Sequence, residues 1–273
     1  MDETGKPLIQ EARETDSIHQ TRKVGLALGG GVVRGWAHLG VLSVLEKSGI
    51  MIHYVAGSSA GSLVGALFCC GMCITELINL AARMRWWHLM RPVWPAQGFF
   101  SFEGLERLII RQVGDILFSD LKTPFAAITT DIADGKAVSI TSGRLAPAVR
   151  ASCSVPGIFI PVRIGDKSLV DGSISDTVPV NVLRQMGAGY VIAVDIFAPA
   201  LRPRLGALGM GFNAIEILVQ NAGGGIGEAD CLISPDLAGS TYLRMSKREH
   251  LFRLGQQAAE AKLPEILQAL GPG

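Results

Sequence analysis

The chain has 273 residues, of which 48% are hydrophobic and 18% charged, and its formal net charge is +1. The apolar content excludes an intrinsically disordered chain, and the near-zero charge gives no electrostatic reason to expect a nucleic-acid partner. A mean hydropathy of +0.34 is high for a globular protein and is compatible with contact with lipid.

Residues 1–22 are polar and charged, and we expect them to form a solvated arm before a single domain that spans residues 23–273. Because they lack the apolar stretch of a secretory signal, we expect a cytoplasmic protein. The odd number of cysteines, five, also favours a reducing compartment. Cys69, Cys70 and Cys73 lie close together without a histidine or further cysteine at zinc-site spacing. We therefore interpret them as packing residues and expect no metal or other cofactor.

A glycine loop follows the first predicted strand. Val24 to Leu28 is a short apolar run, and the next seven residues are Gly-Gly-Gly-Val-Val-Arg-Gly. Residues 36–47 have apolar positions at helical spacing, and residues 52–56 form the next apolar run. The order strand, loop, helix, strand predicts a βαβ unit with two parallel strands.

Two kinds of nucleotide-binding loop can be tested against this glycine loop. The dinucleotide motif is excluded because, counted from Gly29, its last glycine position holds Arg34. A Walker loop is excluded because Trp36 follows Gly35, where that motif needs lysine. We expect the N–H groups of the loop, with the positive charge of Arg34, to stabilise an anion such as a tetrahedral oxyanion. A simple tight turn is the alternative.

The second strand leads into Gly57-Ser58-Ser59-Ala60-Gly61, a Gly-x-Ser-x-Gly pattern. This order is typical of a nucleophile elbow, in which a serine sits on a sharp turn between a strand and a helix. Gly57 and Gly61 leave room for the close approach and strained backbone that such a turn needs. However, residues 54–74 carry no charge, so a helix-packing face or a membrane span also fits the pattern.

Residues 75–112 have an irregular helical pattern that contains Trp86, Trp87 and Trp94, three of the four tryptophans. Tryptophan together with arginine suits a membrane–water boundary. An aromatic patch in the core or beneath a lid explains the same composition.

The rest of the chain predicts alternating strands and helices. We expect a β-hairpin around Asp134-Gly135, a proline-bearing loop at 198–204 and a glycine hinge at 223–227. The predicted strands are 124–132, 136–141, 167–170, 190–195 and 231–233, and 154–162 is expected to be extended. The predicted helices are 145–152, 180–186, 208–221 and 246–270, the last as one helix or a helix pair that contains Pro264. This pattern predicts one α/β domain with helices on both faces of the sheet.

A serine nucleophile needs a base. The order Ser59, Asp171, His250 matches an α/β-hydrolase triad, but His250 lies in a charged helical segment typical of solvent exposure. An aspartate could instead act directly, and Asp131, Asp171 and Asp195 each end an apolar run. Asp171 alone leads into Gly-Ser, a turn that lets a carboxylate face a cleft. The residues alone leave the choice between Asp171 and Asp131 open.

Together these motifs resemble the patatin-like phospholipase family, in particular bacterial members similar to the catalytic domain of neuropathy target esterase. The resemblance runs from about Val24 to Ile196. It rests on four motifs in order, which are Gly29–Gly35, Gly57–Gly61, Ala151–Gly157 and Asp171-Gly172-Ser173. The helical region 205–270 carries little of it.

The resemblance implies an α/β/α sandwich with a mainly parallel sheet and a Ser–Asp dyad, with Ser59 as nucleophile and Asp171 as base. It assigns the oxyanion hole to Gly29, Gly30 and Gly31, with Arg34, Gly57, Gly61 and Gly172 in supporting positions. The family usually has Asp-Gly-Gly or Asp-Gly-Ala where this chain has Asp171-Gly172-Ser173. Because serine is also small, we expect the turn to tolerate Ser173.

The function implied is hydrolysis of fatty acyl esters by a phospholipase, lysophospholipase or esterase. The expected partner is a lipid or acyl ester, with peripheral contact at the inner face of the membrane. Two alternatives remain open. An acyltransferase would pass the same acyl-enzyme to an alcohol or lysolipid, and a regulatory protein would keep the fold without activity.

Overall fold

A computed structural model describes residues 22–94, 97–197, 206–223, 225–237 and 248–271. The predicted polar arm, apart from Arg22, and the predicted loop at 198–204 lie outside the described residues, as does Gly224 of the predicted hinge.

An eight-stranded mixed sheet forms the centre of the molecule. The strands in the described residues are β1 (Val24–Leu28), β2 (Tyr54–Ser58), β3 (Arg91–Pro92), β4 (Phe100–Ser101), β5 (Phe125–Asp131), β6 (Ala137–Ile140), β7 (Val162–Ile164), β8 (Lys167–Asp171), β9 (Tyr190–Val194) and β10 (Cys231–Ile233). The order in the sheet is β10-β9-β1-β2-β5-β8-β7, with β6 also paired to β5. The run from β10 to β5 is parallel, whereas β6, β7 and β8 are antiparallel to their neighbours. The strands β3 and β4 form a separate antiparallel ribbon.

Helices cover both faces of the sheet. They are α1 (Gly35–Lys47), α2 (Ala60–Cys69), α3 (Ile74–Arg83), α4 (Trp86–Leu89), α5 (Glu103–Val113), α6 (Leu145–Ser152), α7 (Val180–Gln185), α8 (Gly206–Asn221) and α9 (Arg248–Leu270). Because successive side chains of a strand point to opposite faces, Leu26 and Leu28 pack with the large helical layer, whereas Ala27 faces α7 through Val180 and Leu183. The expected α/β sandwich with a mainly parallel sheet is confirmed.

One predicted element differs from the structure. The segment 154–162, predicted to be extended, contains a turn in which Gly157 has a φ of +79°. The predicted C-terminal helix is present as one helix, continuous through Pro264. This proline and Glu260, whose carbonyl cannot receive the usual helical hydrogen bond, both lie on the exposed side, where water can solvate that carbonyl.

The uncharged segment considered as a membrane span is a strand followed by a helix of ten residues, β2 and α2. Across the described ranges, no helix has the length and apolar content needed to cross a bilayer. The parallel strands β1, β2 and β9 instead end together at one edge of the sheet, the edge at which open α/β sheets usually place their ligands.

Candidate active site

Ser59 lies between β2 and α2 on a strained turn. Its φ is 50° and its ψ is −117°, a conformation that residues other than glycine rarely adopt. A Cβ on Gly57 would lie 2.5 Å from the backbone of Gly61, and a Cβ on Gly61 would overlap the carbonyl oxygen of Leu28. The two glycines therefore allow the strand, the helix and the neighbouring strand to approach as closely as the elbow requires.

The end of α6 holds the backbone of Ser59 on both sides. The N–H of Ser59 donates to Oγ of Ser152 at 3.0 Å, and Sγ of Cys153 donates to the carbonyl oxygen of Ser59 at 3.2 Å. Sequence reasoning included Ser152 and Cys153 in a motif without assigning them a role. No signal in the chain marks this contact, because it joins positions more than ninety residues apart.

We expect Ser152→Ala to lower both stability and activity. The substitution leaves the buried N–H of Ser59 without its acceptor, which costs about 1–3 kcal/mol. A shift of about 1 Å in the serine would lower kcat about 10²-fold. Ser154→Ala is the matched control, because Oγ of Ser154 donates its hydrogen bond to the carbonyl of Arg150 and not to the backbone of Ser59. Denaturant unfolding and ester hydrolysis measure the two effects; equal losses in both variants would contradict this role for Ser152.

The Ser59 hydroxyl donates a hydrogen bond to Asp171. The distance from Oγ to Oδ2 is 2.7 Å, and the other carboxylate oxygen accepts the N–H of Ser173 at 2.9 Å. Asp171 is only 3% exposed. Burial raises the pKa of this carboxyl group to about 6, although the hydroxyl of Ser59 and the N–H of Ser173 act in the opposite direction. Asp171 is thus a carboxylate at neutral pH with a higher proton affinity than an exposed aspartate.

The sheet register explains why Asp171, and not Asp131, reaches the serine. Ser58 is opposite Ile128, and the next position on β5, Thr129, is opposite Asp171. Asp171 is therefore level with Ser59, although the strand that it ends, β8, is antiparallel to β5. Asp131 lies two residues beyond Thr129 on β5, a displacement of about 7 Å along the strand.

The other candidate bases have different neighbours. Asp131 accepts a hydrogen bond from Nζ of Lys167 at 3.1 Å, and Asp195 accepts the N–H of Phe197 at 2.9 Å. His250 is exposed on α9. The triad order in the sequence therefore does not correspond to a triad in space.

The glycine loop divides between a structural part and a part that faces the serine. The N–H of Gly29 donates to the carbonyl of Val194 at 3.0 Å, so Gly29 continues the sheet. Gly30 and Gly31 line the same cavity as Ser59. The N–H of Gly30 donates a hydrogen bond to the carbonyl of Thr177 at 3.3 Å, so it must exchange this acceptor to bind an oxyanion.

Three residues in or beside this loop have unusual environments or backbone conformations. Nε2 of His38 lies 2.7 Å from the carbonyl of Gly29. Because burial lowers the pKa of His38 to about 4, the ring is neutral and Nε2 donates to that carbonyl. Val32 has a φ of +50°, a second strained residue at the site. Arg34, expected to add charge, is 1% exposed and does not line the cavity.

A cavity of about 500 Å³ opens above Ser59 and Asp171. Its walls are mainly apolar, and its lining comprises Gly30, Gly31, Val32, Ser59, Val155, Ile158, Asp171, Ser173, Ile174, Phe197, Ile215, Glu216 and Val219. No cluster of His, Cys, Asp or Glu suited to a metal ion occurs within the described ranges.

Ser173 places a hydroxyl inside this cavity. The residue is 5% exposed, and its side chain, like its N–H, acts to lower the pKa of Asp171. A Cβ on Gly30 would overlap this Oγ, so the hydroxyl lies directly beside the glycine loop. Gly172 is required for the same turn, because a Cβ there would overlap the carbonyl of Ile128.

The tryptophans divide between the core and the surface. Trp86 stacks at a tilt against Phe102, with ring centroids 6.2 Å apart, and lines a narrow second cavity between α1, α2, α3 and α5. Trp87 and Trp94 are 70% and 89% exposed. Only the last two are therefore available for contact with another surface.

Comparison with known proteins places this geometry in a family. A family model described as patatin-like phospholipase matches residues 26–184. The chain is 33% identical over 177 residues to an NTE family protein of Mycobacterium tuberculosis, covering 64% of this chain and 49% of that protein. It is 34% identical over 182 residues to neuropathy target esterase of Drosophila melanogaster, covering 63% of this chain and 13% of that protein. The chain thus spans about half the length of the bacterial relative and a smaller share of the other.

Among solved structures, VipD from Legionella pneumophila superposes with a TM-score of 0.61 over 90% of this chain and 67% of that chain, at 13% sequence identity. At this identity the similarity supports the fold alone.

Proposed function

The chain belongs to the patatin-like phospholipase family, and we propose that it is a serine hydrolase that cleaves fatty acyl esters of lipids through Ser59 and Asp171. The observation that carries the proposal is the 2.7 Å hydrogen bond from Oγ of Ser59 to Oδ2 of Asp171 at the base of an apolar cavity. A nucleophile within hydrogen-bond reach of its base is the arrangement that covalent catalysis requires.

In the first half-reaction, Asp171 takes the proton of Ser59 as Oγ attacks the ester carbonyl. The tetrahedral intermediate carries a negative charge on the former carbonyl oxygen. The N–H of Gly31 and the N-terminus of α2 stabilise that charge, joined by the N–H of Gly30 once it releases the carbonyl of Thr177. When the intermediate collapses, the ester C–O bond breaks and the leaving alcohol takes the proton from Asp171, which leaves an acyl group on Ser59.

In the second half-reaction, Asp171 takes a proton from water as the water oxygen attacks the acyl-enzyme. Collapse of this second intermediate breaks the bond to Oγ, Ser59 recovers its proton, and the fatty acid leaves. Both steps use one base, and the net reaction consumes one water and one ester.

The apolar walls support a fatty acyl chain as the part of the substrate that the cavity encloses. The nine apolar or glycine residues among its thirteen lining residues offer few polar partners to a head group.

The odd cysteine count supports a reducing compartment, so we place the enzyme in the cytoplasm, in peripheral contact with the inner face of the membrane.

A serine-directed fluorophosphonate probe tests the proposal. We expect a stoichiometric adduct on Ser59, located by mass spectrometry of the digested protein, and no adduct on Ser59→Ala. An unlabelled wild-type protein would instead favour a regulatory protein without activity. Analysis of products with an added lysolipid or alcohol distinguishes hydrolysis, which releases fatty acid, from acyl transfer.

We expect kcat/KM for a soluble ester to rise with pH and reach half its maximum near pH 6. Asp171 must be unprotonated to act as a base, and burial raises the pKa of its carboxyl group to about 6. The measurement is a profile between about pH 4 and pH 8. Burial also raises the pKa of Asp176 to about 6, so Asp176→Asn is the control. We expect Asp176→Asn to leave the midpoint of the profile unchanged. A shifted midpoint would show that Asp176, and not Asp171, is the group whose titration controls activity.

A further inference from the structure

The helix α8 exposes apolar side chains and buries its charged one, the reverse of an ordinary surface helix. Its exposed side chains include Met210, Ile217 and Leu218, which are 64%, 48% and 52% exposed. The single charged residue in its sequence, Glu216, is 8% exposed. Helices of globular proteins usually bury the apolar stripe and expose the charges.

The exposed apolar residues form one continuous stripe. Positions 210, 214, 217 and 218 are spaced by four, three and one, so they lie on the same side of a helix. Ala214 fills the remaining position in this stripe and is also exposed. The outer face of α8, defined as Met210, Ala214, Ile217 and Leu218, therefore offers hydrocarbon to its surroundings without a charged side chain.

The opposite face of the same helix belongs to the candidate active site. Ile215, Glu216 and Val219 line the cavity that contains Ser59 and Asp171. The wall of the cavity and the outer face are thus two sides of one helix, so whatever contacts the outer face lies within one helix diameter, about 10 Å, of the cavity.

A second exposed apolar segment is hydrogen-bonded to another residue of the cavity wall. The carbonyl of Ile158, another cavity residue, accepts the N–H groups of Phe99 and Phe100 at 2.9 Å. Phe99 is 47% exposed, and Trp94, which follows β3, is 89% exposed. Exposed apolar side chains therefore occur both on α8 and on a segment hydrogen-bonded to a residue of the cavity wall.

We propose that the outer face of α8 is a lipid-docking surface that inserts into the interfacial region of a bilayer and brings the mouth of the cavity to its substrate. The inference rests on the proposed function, because a lipid ester resides in such a surface. The continuity of α8 with the cavity favours a bilayer over a protein partner. The absence of exposed charge favours hydrocarbon contact over attraction to anionic head groups, so binding should depend little on salt.

The test is sedimentation with neutral phosphatidylcholine vesicles, using wild type and the double variant Ile217→Gln/Leu218→Gln. We expect the double variant to lower the partition coefficient at least about tenfold. Wild-type binding should change by less than about twofold between about 0.05 M and 0.5 M salt. Hydrolysis of soluble p-nitrophenyl butyrate by the double variant should stay within about twofold of wild type, because neither side chain lines the cavity.

Met51→Gln is the matched control. Met51 is 71% exposed but precedes β2, at the opposite end of the strand from Ser59. Its substitution removes a comparable apolar side chain and should leave vesicle binding unchanged. Circular dichroism and thermal unfolding check that all variants remain folded.

Equal sedimentation of wild type and the double variant would overturn the docking surface. Failure of the wild type to bind vesicles would also overturn it. So would a wild-type dimer that is lost in the double variant, because the outer face of α8 would then be a contact between copies of the chain. These outcomes are separate from failure of the proposed function, which would appear as absence of soluble ester hydrolysis by wild type.

Discussion

Asp171→Asn is expected to abolish ester hydrolysis while the protein remains folded. The amide oxygen can still accept the N–H of Ser173, and the amide NH2 group takes the place of Oδ2 and can donate to Oγ of Ser59, so the side chain keeps a partner on each side. It cannot take a proton from Ser59. Replacing a member of a catalytic group of this kind usually lowers kcat about 10⁴-fold or more, and Ser59→Ala should lower it at least as much. Steady-state hydrolysis of short acyl esters measures both.

Two control variants distinguish the dyad from its alternatives. Asp131→Asn and His250→Ala should retain near-wild-type kcat, because Asp131 pairs with Lys167 and His250 is exposed on α9. An active Asp171→Asn together with an inactive His250→Ala would replace the dyad with a triad.

The stability of Asp171→Asn separates loss of catalysis from loss of folding. Burial raises the folded-state pKa of Asp171 from 3.8 to about 6, so the folded protein binds this proton more tightly than the unfolded chain. The resulting stabilisation is complete below about pH 4 and is lost as the pH rises through 6. At neutral pH, Asp171→Asn should therefore be at least as stable as wild type in denaturant unfolding.

Gly30→Ala is expected to lower kcat/KM about 10²–10³-fold, the usual effect of losing one oxyanion-hole donor. The added methyl group would overlap Oγ of Ser173 and lie 3.5 Å from Cβ of Ser59. The loop must then move away from the position in which its N–H groups can face a tetrahedral intermediate. Ester hydrolysis under kcat/KM conditions measures the loss.

A second substitution tests whether this overlap is the cause. Ser173→Gly removes the overlapping hydroxyl, so the double variant Gly30→Ala/Ser173→Gly should recover part of the lost activity. Gly227→Ala is the control, because a Cβ there meets no atom within 4 Å. Activity of Gly30→Ala within about twofold of wild type would remove Gly30 from the oxyanion hole.

The elements that depend on local pattern could be predicted from the chain. The apolar runs of β1, β2 and β9 and the helical spacing of α1 needed only periodicity, and the four ordered motifs indicated the family. The elbow could be predicted because its geometry demands glycine on both sides of Ser59, and that demand is visible in the sequence.

Contacts between distant segments could not be predicted in this way. Asp171 and Asp131 both end apolar strands, and only the pairing of β5 with β2 and β8 brings one of them level with Ser59. The acceptor that Ser152 offers to Ser59 depends on where α6 ends. These contacts depend on sheet order and register, which no short stretch of sequence encodes.

The sequence by itself determined the layered α/β class, the strained serine turn and the family, because periodicity and the steric demands of glycine act within a few residues. Only the tertiary structure decided which carboxylate receives the serine hydroxyl, that Gly29 belongs to the sheet while Gly30 and Gly31 face the cavity, and that α8 turns its apolar side outward. Each of these depends on strand pairing and helix packing between segments that are far apart in the chain, which short stretches of sequence do not specify.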